Sequence, residues 1–317
     1  MVFSILKNNV KCILIVLLLI SLYFNVTFYL KNTRQVTSFE LLSPSISELE
    51  REAFLDQQTR YTTQFFPLRN QFNQTLQNQK GEYGVYFESL NTGAWIGLHE
   101  KQAFVPASLL KIPLVASVLK KIQNQELTLD TLATVETADL NTLYGAIGRI
   151  KSGDQFTIRE LINYTLYYSD NTAANVLRHF VQTNELLDTF LNLGLPLGSL
   201  KNSETIQIST RDYGNILRSL YYSSYLRRTY SQLILSDLIQ TDFMNGIPAG
   251  LPPHIKTAHK IGYFIAQYGE QRHDCGIVYH PKYPYILCIM TEGLTQQEAD
   301  RLTAQLSKQA YDFVSSD

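Results

Sequence analysis

Three short stretches hold residue types that together can do acyl chemistry. The first is Phe104-Val105-Pro106-Ala107-Ser108-Leu109-Leu110-Lys111, which runs directly into the apolar Ile112-Pro113-Leu114-Val115-Ala116-Ser117-Val118-Leu119. On a helix, a serine and a lysine at that spacing share one face, about one turn apart. A lysine that is partly desolvated loses basicity and can take the hydroxyl proton, leaving a nucleophilic serine. Taken alone the signal is weak, and the pair reads first as a helix start with a solvated lysine. The second stretch is Ser169-Asp170-Asn171, followed by Thr172-Ala173-Ala174-Asn175; alone it is an ordinary helix cap. The third is Lys260-Ile261-Gly262, where a lysine on an edge strand could serve only to discourage aggregation.

The elements that must position these residues follow from pattern. Tyr83–Leu90 and Ala94–Leu98 flank Asn91-Thr92-Gly93 and predict a β-hairpin. Ser108 and Lys111 then open a buried helix. Thr157-Ile158-Arg159-Glu160 is a capping box that predicts a helix through Tyr168, so Ser169-Asp170-Asn171 falls on the loop before a helix over Thr172–Val181. Thr210-Arg211-Asp212 opens another helix. Strand-like runs lie near Thr257–Phe264, Asp274–Tyr279 and Tyr285–Thr291, and Thr295–Val314 reads as an amphipathic helix with Leu302, Leu306 and Phe313 inward. The order predicts an α+β fold: one antiparallel sheet from both chain ends, terminal helices on one face, an all-helical subdomain on the other.

On these elements, in this order, the three stretches resemble the Ser-x-x-Lys, Ser-Asp-Asn and Lys-Thr-Gly signature of the class A β-lactamases and related penicillin-binding serine enzymes. The resemblance covers roughly residues 57 to 317, and the run Ser169–Asn175 is its most specific part. It implies a β-lactamase/transpeptidase-like fold and an acyl-serine intermediate. Ser108 is then the nucleophile and Lys111 its activator, with Ser169 relaying a proton to the leaving nitrogen. Asn171 orients Lys111 and meets the substrate amide, and Lys260 supplies positive charge for a substrate carboxylate. The backbone N–H groups of Ser108 and of Tyr263, after Gly262, form the oxyanion hole. Asp170 is expected to hold its loop by bonding backbone.

Two features depart from the family pattern. Ile261 stands where a threonine or serine hydroxyl would bind the substrate carboxylate. No Glu-x-x-Leu-Asn run, whose glutamate activates the deacylating water, occurs between Val181 and Thr210; the nearest candidate is Glu204 in Asn202-Ser203-Glu204-Thr205. The implied substrates are therefore a β-lactam or, as the alternative, a peptidoglycan peptide cleaved by a D-alanyl-D-alanine peptidase with slow deacylation. A cell-surface module that keeps the fold but not the chemistry is a third reading.

The chain has 317 residues, 45% of them hydrophobic and 12% aromatic, which is ample for a large core. A net charge of −1 gives no electrostatic case for nucleic acid. No cofactor is implied, and no Cys/His cluster has metal spacing; His254 and His259 read as surface histidines. Cys275 and Cys288 lie on two runs able to form a hairpin, where two buried thiols are expected in preference to a disulfide. Residues 12 to 30 carry no charge and as a helix would span about 28 Å, close to the hydrocarbon thickness. They predict an uncleaved signal anchor, dividing the chain into a stub and anchor (1–34), a tether (35–56) and an extracytoplasmic catalytic domain (57–317).

Overall fold

The computed structural model describes residues 62–141, 150–195, 206–266 and 269–316. They all fall within one of the chain's contact units, Leu41–Asp317. The expected anchor and tether lie outside the described residues; among those that are described, no helix is long and apolar enough to cross a membrane.

In chain order the elements are α1 (Phe66–Leu76), β1 (Glu82–Ser89), β2 (Trp95–Leu98), a 3-10 turn (Ala107–Leu110) and α2 (Lys111–Gln123). Next come β3 (Leu132–Thr134), β4 (Gln155–Thr157), α3 (Ile158–Tyr167), α4 (Asn171–Arg178) and α5 (Thr183–Asn192). The chain continues with α6 (Thr210–Tyr221), α7 (Arg228–Ile239), β5 (Thr257–Ala266), β6 (Gly269–Val278), β7 (Tyr285–Glu292) and α8 (Gln296–Ser315). The main sheet has the order β2-β1-β7-β6-β5, with every neighbouring pair antiparallel. Both chain ends thus build one sheet, as the pattern predicted.

Strand alternation gives the sheet two different faces. Val85, Phe87, Leu287 and Ile289 point to one side and are buried with Phe72 and Leu76 of α1 and Leu302, Leu306 and Ala310 of α8. Tyr86 points to the other side, where α6 crosses it. A Cβ on Gly214 would lie 2.7 Å from the Tyr86 ring, so only glycine lets this helix approach so closely. The helical block beyond has α2 at its centre, with Ile112 and the run Leu114–Leu119 all buried. Arg159 of α3 binds Asp237 of α7 through two 2.8 Å bonds and ties that block together.

The structure alters three expectations. Cys275 and Cys288 are paired as a disulfide, because register sets them directly opposite on β6 and β7. His254 is exposed, but His259 is 2% exposed; it lies inside β5, on the face it shares with Asp274. Ser108 sits in the 3-10 turn ahead of α2, not in the α-helix itself. Pro113 has no N–H, so it cannot complete an α-helical bond to the Leu109 carbonyl. That carbonyl accepts instead from Tyr213 Oη at 3.2 Å.

Candidate active site

Lys111 Nζ is the centre of the arrangement. It lies 3.1 Å from Ser108 Oγ, 2.6 Å from Asn171 Oδ1 and 3.3 Å from Ser169 Oγ, and it also reaches the Ser169 carbonyl oxygen. Lys260 Nζ donates to Ser169 Oγ at 2.7 Å from the opposite side. One serine hydroxyl therefore bridges two lysines, and the first of these touches the second serine.

Both lysines are buried, Lys111 at 7% exposure and Lys260 at 2%. Burial lowers the Lys111 pKa to about 7, against a smaller opposing pull from the Asp170 carboxylate. Burial also pushes Lys260 well below the ordinary lysine range, helped by the charges of Lys111 and Arg272 and opposed by Asp274. An uncharged Lys111 keeps two N–H donors and gains a lone pair. The donors suit Asn171 Oδ1 and the Ser169 carbonyl, and the lone pair can accept the Ser108 hydroxyl proton. That is the protonation state a general base needs, held near neutral pH by desolvation.

Local sequence explains how each group is presented. Ala107, just before Ser108, has a φ of 48°, and Ser169 has a φ of 56°. Both are non-glycine residues in the left-handed region, a strain that persists where the surroundings enforce it. At Ser169 the enforcing contact is the cap that follows. Asp170 Oδ1 accepts from Ala173 N at 2.8 Å and starts α4, while Asp170 N donates to Tyr164 O at 3.0 Å. Asp170 thus bonds backbone, as expected of it. Asn171 is held by Asn141, whose Oδ1 accepts from Asn171 Nδ2 at 3.3 Å. Gly262 of β5 lies against the serine turn: a Cβ there would stand 2.7 Å from Pro106 O and 3.2 Å from Leu109 Cγ. The glycine is what lets β5, and Tyr263 after it, run beside Ser108.

Ser108, Lys111, Ser169, Asn171 and Lys260, all named from sequence, thus meet in one cluster, and Gly262 borders the serine turn. Glu204 lies outside the described residues. Ile261 is 3% exposed and pairs in register with Asp274. Alternation turns it away from the Lys260 side, so its apolar chain is sheltered on the far face.

Several contributing residues carried no motif. Asn141 is thirty positions before Asn171, with nothing between to signal the contact. Phe243 sets its ring centroid 5.7 Å from Lys260 Nζ. Asp274 accepts from His259 Nδ1 at 2.7 Å and from Ile247 N at 2.7 Å, a buried unit on the sheet face behind Lys260. His273 and Asp274 likewise belong to none of the three stretches.

Comparison with known proteins agrees with this geometry. Residues 67–314 match the model of the Beta-lactamase enzyme family. The β-lactamase L2 of Stenotrophomonas maltophilia is 36% identical over 98 residues, 31% of this chain and 32% of that protein, so the shared stretch is about a third of that relative's length. A β-lactamase of Bacteroides uniformis is 22% identical over 275 residues, 79% of this chain and 92% of its own. Among solved structures, PBP-A superposes with a TM-score of 0.71 at 24% identity, covering 80% of this chain and 97% of that one. A β-lactamase from Chitinophaga pinensis gives 0.71 at 21% identity, covering 78% and 99%. These last two show a shared fold. With the family model spanning most of the chain and the serine–lysine centre assembled on that fold, this protein belongs to the β-lactamase enzyme family and is a serine hydrolase of β-lactamase type.

Proposed function

We propose that the protein opens β-lactam amides through an acyl-enzyme on Ser108. The observation that carries this reading is Lys111 Nζ, set within bonding distance of Ser108 Oγ and Asn171 Oδ1 with its pKa brought to about 7. Uncharged Lys111 takes the Ser108 proton as Oγ forms a bond to the lactam carbonyl carbon. The oxyanion is received by the backbone N–H groups of Ser108 and Tyr263. As the C–N bond breaks, Ser169 gives its proton to the leaving nitrogen and regains one from Lys111, at 3.3 Å. Lys260 stabilises negative charge on Ser169 and on the substrate carboxylate. Water then cleaves the Ser108 ester, with Glu204 as the candidate base.

A second reading is a penicillin-binding peptidase that deacylates slowly. The absence of a Glu-x-x-Leu-Asn run between Val181 and Thr210 favours it. The two readings separate in pre-steady-state kinetics with a chromogenic cephalosporin. A β-lactamase turns over continuously. A slow deacylator gives a stoichiometric burst followed by a much slower phase, and it releases D-alanine from a stem peptide. Loss of neither phase in Ser108→Ala would exclude both. We also place the domain outside the cell, held by residues 12–30; a chain lacking them should leave the membrane fraction, and retention there would contradict the anchor.

A further inference from the structure

The segment carrying Ser108 hangs from other elements by its backbone. Phe104 exchanges two 2.9 Å bonds with Ile208. At the next residue, Val105 N donates to Gln271 Oε1 at 2.9 Å, and Val105 O lies 2.9 Å from His273 Nε2. Gln271 and His273 are two apart on β6, so both project from one face, and they are 4% and 1% exposed. Thr291 N of β7 donates to His273 Nδ1 at 3.3 Å. That bond leaves the ring proton on Nε2, where it is donated to Val105 O. Burial lowers the His273 pKa to about 4, so the ring keeps this neutral form near pH 7.

His273 also meets the other half of the site. It is the register partner of Gly262, whose Cβ would lie 3.2 Å from His273 Cδ2. One imidazole therefore touches β5, a residue before Tyr263, and binds the nucleophile segment three residues before Ser108. Between Val105 and Ser108 lies Ala107, with its left-handed φ of 48°, a conformation that needs outside ties to persist.

We propose that Gln271 and His273 are positioning residues that clamp both polar groups of Val105. The clamp fixes the spacing of the Ser108 and Tyr263 backbone N–H groups, and so the oxyanion hole. The inference rests on the reading that those two groups receive the acyl oxygen. Neither side chain touches substrate. Their effect is geometric, because oxyanion donors act only when placed where charge develops.

The test uses the full chain and the variants His273→Leu, His273→Gln, Gln271→Leu and Gln271→Glu. The first and third remove one tie each; the second and fourth keep a donor to Val105 O and an acceptor for Val105 N. Three readouts apply: the acylation rate constant with a penicillin, the infrared frequency of the isotope-labelled acyl carbonyl, and amide exchange over residues 104–110. In both leucine variants acylation should slow at least tenfold, with the initial binding constant within twofold. The carbonyl band should rise in frequency and exchange over 104–110 should quicken. The glutamine and glutamate variants should recover most of the rate and the wild-type band. A folded His273→Leu protein with wild-type rate and wild-type band overturns the proposal. If the leucine variants do not fold, the glutamine and glutamate variants decide it, since a tenfold loss there with an unshifted band also overturns it. If the wild-type chain forms no acyl-enzyme, the function proposed above fails, and unchanged exchange over 104–110 in either leucine variant still overturns the clamp.

Discussion

Lys111 couples chemistry and stability in a single side chain. It acts as a base only when uncharged, so acylation should rise with pH through about 7 and level off above. A rate already at its plateau by pH 5 would contradict this assignment. Lys111→Ala should slow acylation by about 10²–10⁴-fold, the usual worth of a positioned general base. The same depressed pKa carries a stability sign. Between about 7 and the ordinary 10.5, the unfolded chain binds more protons than the folded one, so stability rises with pH across that window. Lys111→Met removes the buried amine and should melt at a higher temperature than wild type at pH 7 while being inactive; a lower melting temperature would contradict the desolvation account. At this scale the sequence was informative about residues that act through spacing. Ser108 and Lys111, and Ser169 and Asn171, announce themselves because each pair is local. Asn141, Phe243 and the histidine–aspartate pair His259–Asp274 do not, because their partners are brought near only by the fold. His259 falls within the strand expected over Thr257–Phe264, but the sequence does not say that both faces of that strand are covered; alternation turns it to the buried face it shares with Asp274.

At the scale of elements, the cap on α4 is the part most closely tied to the chemistry. Asp170 satisfies Ala173 N at the helix start and holds Ser169 in its left-handed turn. Asp170→Ala should lower stability by about 0.5–2 kcal/mol, the range for a lost N-cap. Because the Asp170 carboxylate raises the Lys111 pKa, the same change should move the acid limb of the acylation profile to lower pH. A limb that stays in place or moves upward would contradict this coupling. Ile261→Thr makes a different test. The residue is sheltered on the sheet face away from Lys260, so exchanging it for a hydroxyl should cost about 1–3 kcal/mol in stability. Denaturant unfolding of the variant measures that loss, and an unchanged midpoint would place the side chain elsewhere. The capped helix at Thr157 was legible, and its box exists; α8 was legible by its amphipathic pattern, and a box at Thr295 that was not read also starts it. The small β3–β4 sheet, α5 and α7 were not read from the sequence. Three-residue strands carry too little alternation to register, and α7 has buried positions on a chain of weak amphipathic contrast.

At the scale of the whole molecule, one sheet joins the two ends of the chain and sets β5 beside the serine turn. That long-range pairing was legible because β7 and the second half of β6 are apolar runs joined by a short turn and followed by an amphipathic helix; the polar first half of β6, from Gly269 to His273, was not read. The Cys275–Cys288 bond was not, since sequence gives no register and the choice between thiols and a disulfide depends on which residues end up opposite. The bridge closes a sequence separation of 13 residues, and by chain entropy a loop of that order contributes about 3 kcal/mol. Reduction should therefore lower the melting temperature, and Cys275→Ser with Cys288→Ser should match the reduced protein; equal melting with and without reductant would contradict the bridge. Every step proposed for this molecule begins with acylation of Ser108. Intact mass spectrometry of the full chain after brief exposure to a penicillin should show a single adduct of the intact drug mass, located by peptide mapping to Ser108 and missing in Ser108→Ala. An adduct that persists in Ser108→Ala, or none in wild type at saturating drug across several β-lactams, would contradict it.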